Sequence, residues 1–544
     1  MKFLIDKFSL GIIVSLFSFS LCSQTFPWAR SADGNGIDEG IAICNDALGN
    51  VYITGQFTSS LLTLGTVTLN SSSGSCVYLA KYDANGNALW AKKAISTGLD
   101  YGNSVSCDPS GNIFVSGYFA SPTIAFGNYT LTNNGNYDIF VVKYDPSGNV
   151  LWARSAGDSG NDYGYSVNAD ALGNVFVTGS FSSPSVTFGT YTLTNTGVCD
   201  SYLVKYNSSG TALWATNPTG TGGDENWSVC TDANGNAYTA GDFVSPTMTF
   251  GNYTITNTGA CPIYLAKYDP SGNVIWVRSA GGTSYDFCNF VTVDNGGNAI
   301  ITGDFSSPTL VFGTTTLTNN GNNDAYIAKY DPQGNPLWAR SAGTSAYEKG
   351  FSLSADANSI YCTGNFSSSI VFGSHTLTAP AGAPDPVYIV AFDYAGNVQC
   401  ASALNSGGDD QQGISADKLG HAYFTSDFIG TLTVGGTTLN PTGAENIFLA
   451  KYVCVDVTNV KEEERSPAAI YPNPSSGSFK ILLEESAGEC NIIVTDAAGK
   501  QIMETALVRG LNNISKEQFP KGIYFYRIIN KEKEIIVSGK LISD

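Results

Sequence analysis

Six tryptophans, Trp28, Trp90, Trp152, Trp214, Trp276 and Trp338, are each followed ten residues later by an acid: Asp38, Asp100, Asp162, Asp224, Asp286 and Glu348. Asp410 stands ten residues after Cys400, which takes the seventh place in the same register. Tyr101, Tyr163, Trp227 and Phe287 lie within three residues of four of these acids. Gathered around one opening, seven carboxylates beside aromatic faces would suit a cation such as calcium, or a cationic or hydroxyl-rich ligand. The same recurrence suits a plainer role, in which each acid fastens its own loop by accepting backbone N–H bonds. A structural need repeats in every unit, whereas a binding site need not. Both roles remain open from the sequence.

Other chemistry finds little support. The two histidines, His375 and His421, stand at positions held by Tyr or Asn elsewhere, without triad or metal-ligand spacing. No glycine-rich phosphate loop is present, because the glycines follow turn positions. A second set of acids, Asp46, Asp108, Asp170, Asp232, Asp294, Asp356 and Asp417, opens tight turns, and a third begins at Asp83, Asp145, Asp269, Asp331 and Asp393. Turn geometry accounts for both sets. The DANGN turns at 83–87 and 232–236 lack the remaining ligands of a calcium loop. Residues 24–454 hold 14 Lys/Arg against 32 Asp/Glu, which excludes a basic nucleic-acid surface.

The elements that position these acids follow from a period of 62 residues. The tryptophans keep it, and so do Phe57, Phe119, Phe181, Phe243, Phe305, Phe366 and Phe428 with almost no drift, giving seven units. Each unit reads as four strands: a short one ending on Asp, a G-N-V-Y-I-T-G-type strand, a Y-L-A-K-Y-type strand, and the L-W-A-R segment. D-P-S-G-N-type turns join the last two, and a longer insert with a Phe-Gly hairpin separates the second from the third. Such units predict a seven-bladed β-propeller. Only the fourth strand of a unit stands at 26–34 and only the third near 450. The N-terminal strand is therefore expected to complete the last unit by pairing residues 27–31 with 448–452, which removes two sheet edges. Chain direction places the seven acids at the end of the ring that carries the long inserts, opposite both sets of tight Asp turns.

The pattern, from S-V-x-x-D through G-N-V-Y-V-T-G to Y-L-A-K-Y-D-P-S-G-N-x-L-W-A, resembles the bacterial SBBP-type β-propeller repeat over residues 24–454. It departs at Cys400 for Trp, at Asn207 for Asp, and by one residue missing near Asn358.

Residues 1–23, with Lys2 and Lys7 flanking the start of an apolar run from Phe8 to Leu21, read as an export signal too short for a comfortable membrane span. No other candidate span exists. Beyond that segment eleven cysteines remain, mostly scattered, and read as small buried residues with one or two bridges.

A charged linker, 455–468, leads to residues 469–544, whose short strands predict a small immunoglobulin-like β-sandwich. Tyr471-Pro472-Asn473-Pro474, then Asp496-Ala497-Ala498-Gly499-Lys500, then Lys521-Gly522-Ile523-Tyr524, then Gly539-Lys540-Leu541 run in order. They resemble the type A sorting domain of the type IX secretion system of Bacteroidota. The resemblance implies an encounter of 469–544 with that machinery and passage to the surface or medium. With no catalytic constellation and little deviation in unit length, the sequence predicts a secreted, non-enzymatic binding or adhesion protein for an extracellular glycan or protein ligand. A carbohydrate-active hydrolase using two carboxylates and a structural surface-layer component are the alternatives. No cofactor is expected apart from calcium at the acid ring.

Overall fold

The computed structural model describes residues 22–71, 74–380, 385–407, 412–456, 468–471, 479–483, 490–496, 500–508, 510–515, 520–531 and 535–543. Among them the structure is all-β, so no helix is long and apolar enough to cross a membrane. The chain divides into two compact units at Val455/Asp456, and residues 1–21 of the expected export signal, 1–23, lie outside the described residues.

In the larger unit, six sheets are antiparallel meanders of four strands in sequence order. The second sheet, Asp100–Cys107, Ile113–Phe119, Asp138–Tyr144 and Val150–Ala156, is typical. The second and third strands are buried nearly throughout: Val175–Phe181 and Asp200–Tyr206 have every residue inside, and only single residues such as Tyr118 are half-buried. The fourth is buried only in part, so each sheet has an inner and an outer edge.

The seventh sheet is built from both ends of this unit. Gly413–Ala416, His421–Phe428 and Asn446–Asp456 supply three strands, and Cys22–Asp33 is hydrogen-bonded to Asn446–Asp456 as the fourth. First strands of consecutive sheets pack against one another, and the seventh returns to the first. Hydroxyls stitch this inner circle. Ser104 Oγ accepts from Val167 N (3.1 Å), Ser166 Oγ from Val229 N (3.2 Å), Ser228 Oγ from Val291 N (3.1 Å), and Ser415 Oγ donates to Asn45 Oδ1.

The repeated tryptophan couples each sheet to the next. Trp152 Nε1 donates to Ser208 O at 3.1 Å, and a Cβ on Gly210 would lie 2.7 Å from the Trp152 ring, so only glycine lets that turn settle on the indole. Trp28, Trp214, Trp276 and Trp338 repeat the indole bond to Ala84, Pro270, Pro332 and Tyr394. The Phe-Gly inserts form two-stranded hairpins such as Ser185–Phe188 with Tyr191–Thr194. They lie beside the fourth strands, as Tyr191 OH donating to Leu213 O shows (2.5 Å), and so cover outer edges that would otherwise invite association.

At the seventh unit the third strand runs on to Asp456 with no turn to receive an indole. Cys454 follows Tyr452 by two residues, as Ala84 follows Tyr82, and so takes the place of the indole acceptor. Cys400, in place of the tryptophan, is disulfide-bonded to it. A second bridge, Cys44–Cys107, joins the first strands of sheets one and two.

The C-terminal unit has a three-stranded sheet, Ala468–Tyr471, Phe479–Leu483 and Gly510–Ile514, and a four-stranded sheet ordered Gln501–Leu507, Cys490–Asp496, Gly522–Ile529 and Ile535–Ser543. Phe479, Ile481 and Ile514 of the first meet Ile492, Val494, Ile528 and Leu541 of the second in one core, making a small sandwich.

Candidate functional site

Each of the six described ring acids begins the first strand of its sheet and is at most 1 % exposed. The side chains turn into their own loops. Asp100 Oδ1 accepts from Ala120 N and Ser121 N, both 3.1 Å, and Oδ2 accepts from Ser121 Oγ at 2.6 Å. Asp38, Asp162, Asp224 and Asp286 bond Ser59, Ser183, Ser245 and Ser307 in the same way (2.5–2.8 Å). In the shorter sixth unit Glu348 accepts from Thr344 Oγ1 (2.9 Å) instead. Burial pushes the carboxyls of Asp38, Asp162, Asp224, Asp286 and Glu348 above their ordinary values, against the hydrogen bonds, which pull down. These acids tie the end of the second strand to the start of the first. The axial-ring geometry that would gather them around a cation is not what the structure has, because fully buried carboxylates need these local donors. Asp410 lies outside the described residues.

What the loops position is another set of residues. The first strands of sheets one to six carry a β-bulge at their third to fifth position, as between Gly102 and Ser104 or Cys288 and Phe290. The skipped residue leaves the ladder and is re-aimed. The bulge also drives the carbonyl of the preceding residue toward the second strand, so that a Cβ on Gly117 would meet Tyr101 O at 1.8 Å. Gly55, Gly179, Gly241, Gly303 and Gly364 face the same carbonyl in their units, which is why glycine recurs there.

Around this fixed frame the side chains differ from unit to unit. The residue after the acid is Glu39, Tyr101, Tyr163, Glu225, Phe287 or Lys349, and the bulged residue is Ile41, Asn103, Tyr165, Trp227, Asn289 or Phe351. The position before the terminal Phe of the second strand holds Gln56, Tyr118, Ser180, Asp242, Asp304, Asn365 or Asp427.

These positions touch one another. Tyr101 stacks on Tyr118 (4.8 Å between centroids), Tyr118 meets Tyr163 edge-on (4.8 Å), Tyr163 stacks on Tyr165 (5.6 Å), and Tyr165 stacks on Trp227 (4.5 Å). Thus the structure joins three of the four aromatics singled out in the sequence, Tyr101, Tyr163 and Trp227, into one half-buried arc over units two to four. Phe287 lies apart, stacked on Tyr285 (6.5 Å) beside a cavity of about 590 Å3 between units five and six.

The arc ends on a pair of carboxyls. Trp227 Nε1 donates to Asp242 Oδ2 at 2.8 Å, and Glu225 is the cross-strand partner of Asp242. Burial, with the Glu225 charge second, pushes the Asp242 carboxyl to about 8, and burial raises Glu225 to about 7. Sequence reasoning missed Tyr118, Tyr165, Asp242 and the cavity walls other than Phe287; setting the seven units against each other marks these positions by their variation.

It also missed Asp138, Asp200 and Asp324, which open third strands and are fully buried. Asp138 is pushed to about 6 by burial, and its Oδ1, like that of Asp200, has no partner among the described residues. The opposite mouth of the ring, a cavity of about 950 Å3, is lined by the tight turns of Asp46, Asp108, Asp170, Asp232, Asp356 and Asp417. There each acid holds its own turn, as Asp108 does by accepting from Asn112 N and Nδ2 (2.9 and 2.7 Å). Among the described residues no group of three or more His, Cys, Asp or Glu is arranged to hold a metal ion.

In the C-terminal unit, Asp496 pairs with Tyr524 and Phe525 with Lys540, so three of the four motifs meet at one end of the four-stranded sheet. Lys500 N donates to Asp496 Oδ1 (2.9 Å), Gly522 opens its strand, and buried Tyr524 donates its hydroxyl to Pro520 O (2.7 Å). Tyr471 ends the strand Ala468–Tyr471, while Pro472, Asn473, Pro474 and Gly499 lie outside the described residues.

An uncharacterized WD repeat-containing protein of Acanthamoeba polyphaga mimivirus is 27% identical over 420 residues, covering 63% of this chain and 30% of its own. The regulatory protein FlaEY of Caulobacter vibrioides is 25% identical over 271 residues, 44% of this chain and 28% of its own. The chain thus spans under a third of the length of these relatives. Among solved structures, a fungal alcohol oxidase with copper covers 95% of this chain and 99% of its own at 14% identity, with a TM-score of 0.39, too low to equate the folds. Residues 469–543 match the secretion system C-terminal sorting domain. The C-terminal unit is therefore a sorting domain, and the protein is exported through the type IX system to the cell surface or the medium.

Proposed function

We propose that residues 22–455 form a seven-bladed β-propeller of SBBP type, closed by the N-terminal strand, and that the end bearing the bulges and long inserts is the ligand face of a non-enzymatic, secreted binding or adhesion protein. One observation carries the reading. In a repeat whose frame is nearly fixed, the half-buried bulged residue and its contacts, on one end of the ring, differ from unit to unit. Packing asks for the same residue in every unit, as the Trp–Gly dock and the Asp–Ser fastener do. A ligand with no sevenfold symmetry asks for different ones.

The test is a glycan and protein array with the mature chain, with and without calcium. Binding should be lost in a variant carrying Tyr101→Ala, Tyr163→Ala, Trp227→Ala and Phe287→Ala, and kept when exposed hairpin residues are changed instead. Retention by the face variant would refute the reading.

The Glu225–Asp242 pair favours a second reading, a carbohydrate-active hydrolase, because such enzymes hold one of two neighbouring carboxyls protonated. Release of reducing sugar by the wild type, abolished in Glu225→Gln, would establish it.

A further inference from the structure

The identity of the ligand can be narrowed at the cavity between units five and six, and this step rests on the ligand-face reading. Its volume, about 590 Å3, falls within the range of small-molecule sites, roughly 300–1,000 Å3. Beside the recurrent Phe366, most of the walls come from positions that differ between units: Phe287, Asn289, Asp304 and Asn323 of unit five, and Tyr347 and Phe351 of unit six. Two other cavities differ in this respect. The larger one at the opposite mouth is lined by tight turns whose acids recur and are spent on bonds within their own turns. A smaller one, about 310 Å3, is walled by third-strand and hairpin residues such as Tyr326, Tyr388 and Phe372, which also recur.

The polar groups in the chosen cavity are held before any ligand arrives. Asn289 Nδ2 donates to Gly350 O across the unit boundary at 2.9 Å, and Asn323 Nδ2 donates to Asp304 Oδ2 at 2.6 Å. An amide nitrogen carries two N–H groups, so Asn323, bonded once to Asp304, has a second to offer beside its carbonyl oxygen, and the lining presents both donors and acceptors. Such a lining suits a ligand rich in hydroxyls, which donate and accept alike. Beside it stand flat apolar surfaces: Phe287 and Phe351 are half-buried, and Tyr347 is 56 % exposed at the rim. Asp304 and Asp385 outweigh Lys349 in the lining, so an anionic ligand is repelled.

We propose that this cavity is a subsite for a neutral pyranose unit of a glycan, with Phe287, Phe351 and Tyr347 against the C–H face of the ring and the amides of Asn289 and Asn323 exchanging hydrogen bonds with its hydroxyls. The stacked arc from Tyr101 to Trp227, on the same end of the ring, gives further aromatic faces over which the rest of an oligosaccharide lies.

The test uses the mature chain and calorimetric titration with a soluble β-glucan, a mannan, a galactan and N-acetylglucosamine oligomers, with a sulfated glycan as the anionic control. Two double variants are compared: Tyr347→Ala/Phe351→Ala in the cavity, and Tyr163→Ala/Trp227→Ala in the arc. Phe351→Tyr, which keeps the ring, controls for loss of fold. At least one neutral glycan should bind, the cavity variant should lose tenfold or more, and Phe351→Tyr should stay within threefold of wild type. Tighter binding of the sulfated glycan overturns the proposal. So does neutral-glycan binding that the arc variant abolishes and the cavity variant leaves intact, although the ligand-face reading then survives. If a protein ligand alone is found and both variants weaken it, the face stands and the sugar subsite falls. Binding untouched by both variants overturns face and subsite together.

Discussion

Replacing both Cys400 and Cys454 by Ala removes the covalent clasp from the one unit boundary that lacks a Trp–Gly dock. The bridge closes a loop of 54 residues, for which chain entropy gives about 4 kcal/mol in favour of the folded state. Cys400 is 1 % exposed and Cys454 partly buried, so the alanines also lose a little packing. The bridge ties the third strand of the seventh sheet, to which the N-terminal strand is hydrogen-bonded, back onto the sixth. Its loss should therefore act on ring closure before it acts on any single sheet. Urea denaturation followed by tryptophan emission should show a midpoint lowered by the equivalent of about 2–4 kcal/mol. Amide exchange should rise in residues 446–453 and 24–32 ahead of the inner sheets. A double variant within about 0.5 kcal/mol of wild type, with unchanged protection at those two segments, would refute the idea that the disulfide stands in for the missing dock.

Three further outcomes are expected. Asp100→Asn should cost about 1–3 kcal/mol, because it weakens a fully buried fastening of Ser121, and calcium should leave the melting temperature of wild type unchanged; a calcium-induced rise that the variant loses would restore the cation ring. The folded value of Asp242, about 8, lies above its ordinary 3.8, so the stability linked to it is present in full below the unfolded value and is lost as pH rises through about 8. Melting temperature should accordingly fall between about pH 4 and pH 8 and level off above, and Asp242→Asn should flatten the fall; an unchanged slope contradicts the burial argument. Cells producing the chain without residues 469–544 should keep it in the periplasm while the full chain reaches the surface or medium, and equal secretion of both would contradict the sorting role.

Much of the frame was readable from spacing. A period of 62 residues and alternating strands follow from backbone requirements, and those recur wherever the same sheet is built. The expected contact of the two chain ends was likewise visible, since half-units at 26–34 and 448–452 can complete each other only by pairing. The ring acids were found but their direction was not. An acid ten residues after a tryptophan serves an axis or a loop equally well until Ser59, Ser121 and their counterparts, 21 residues on, are seen as partners. The bulges were hidden because one extra residue in an eight-residue strand barely disturbs its alternation; the glycine opposite, Gly55 or Gly117, was the available trace. Cys400 and Cys454 looked scattered because each was judged against other cysteines. Set against the Trp and turn they replace, they form a matched pair.

The account turns on where the ligand sits, and amide exchange of the mature chain with and without the strongest ligand from the array reads that location directly. The segments 100–104, 162–166, 224–228, 286–290 and 348–352 should gain protection, with those of units five and six among the strongest. The tight-turn segments 46–50, 108–112 and 170–174 at the opposite mouth should stay unchanged. Protection confined to that mouth, or to the peripheral hairpins, would contradict the central claim.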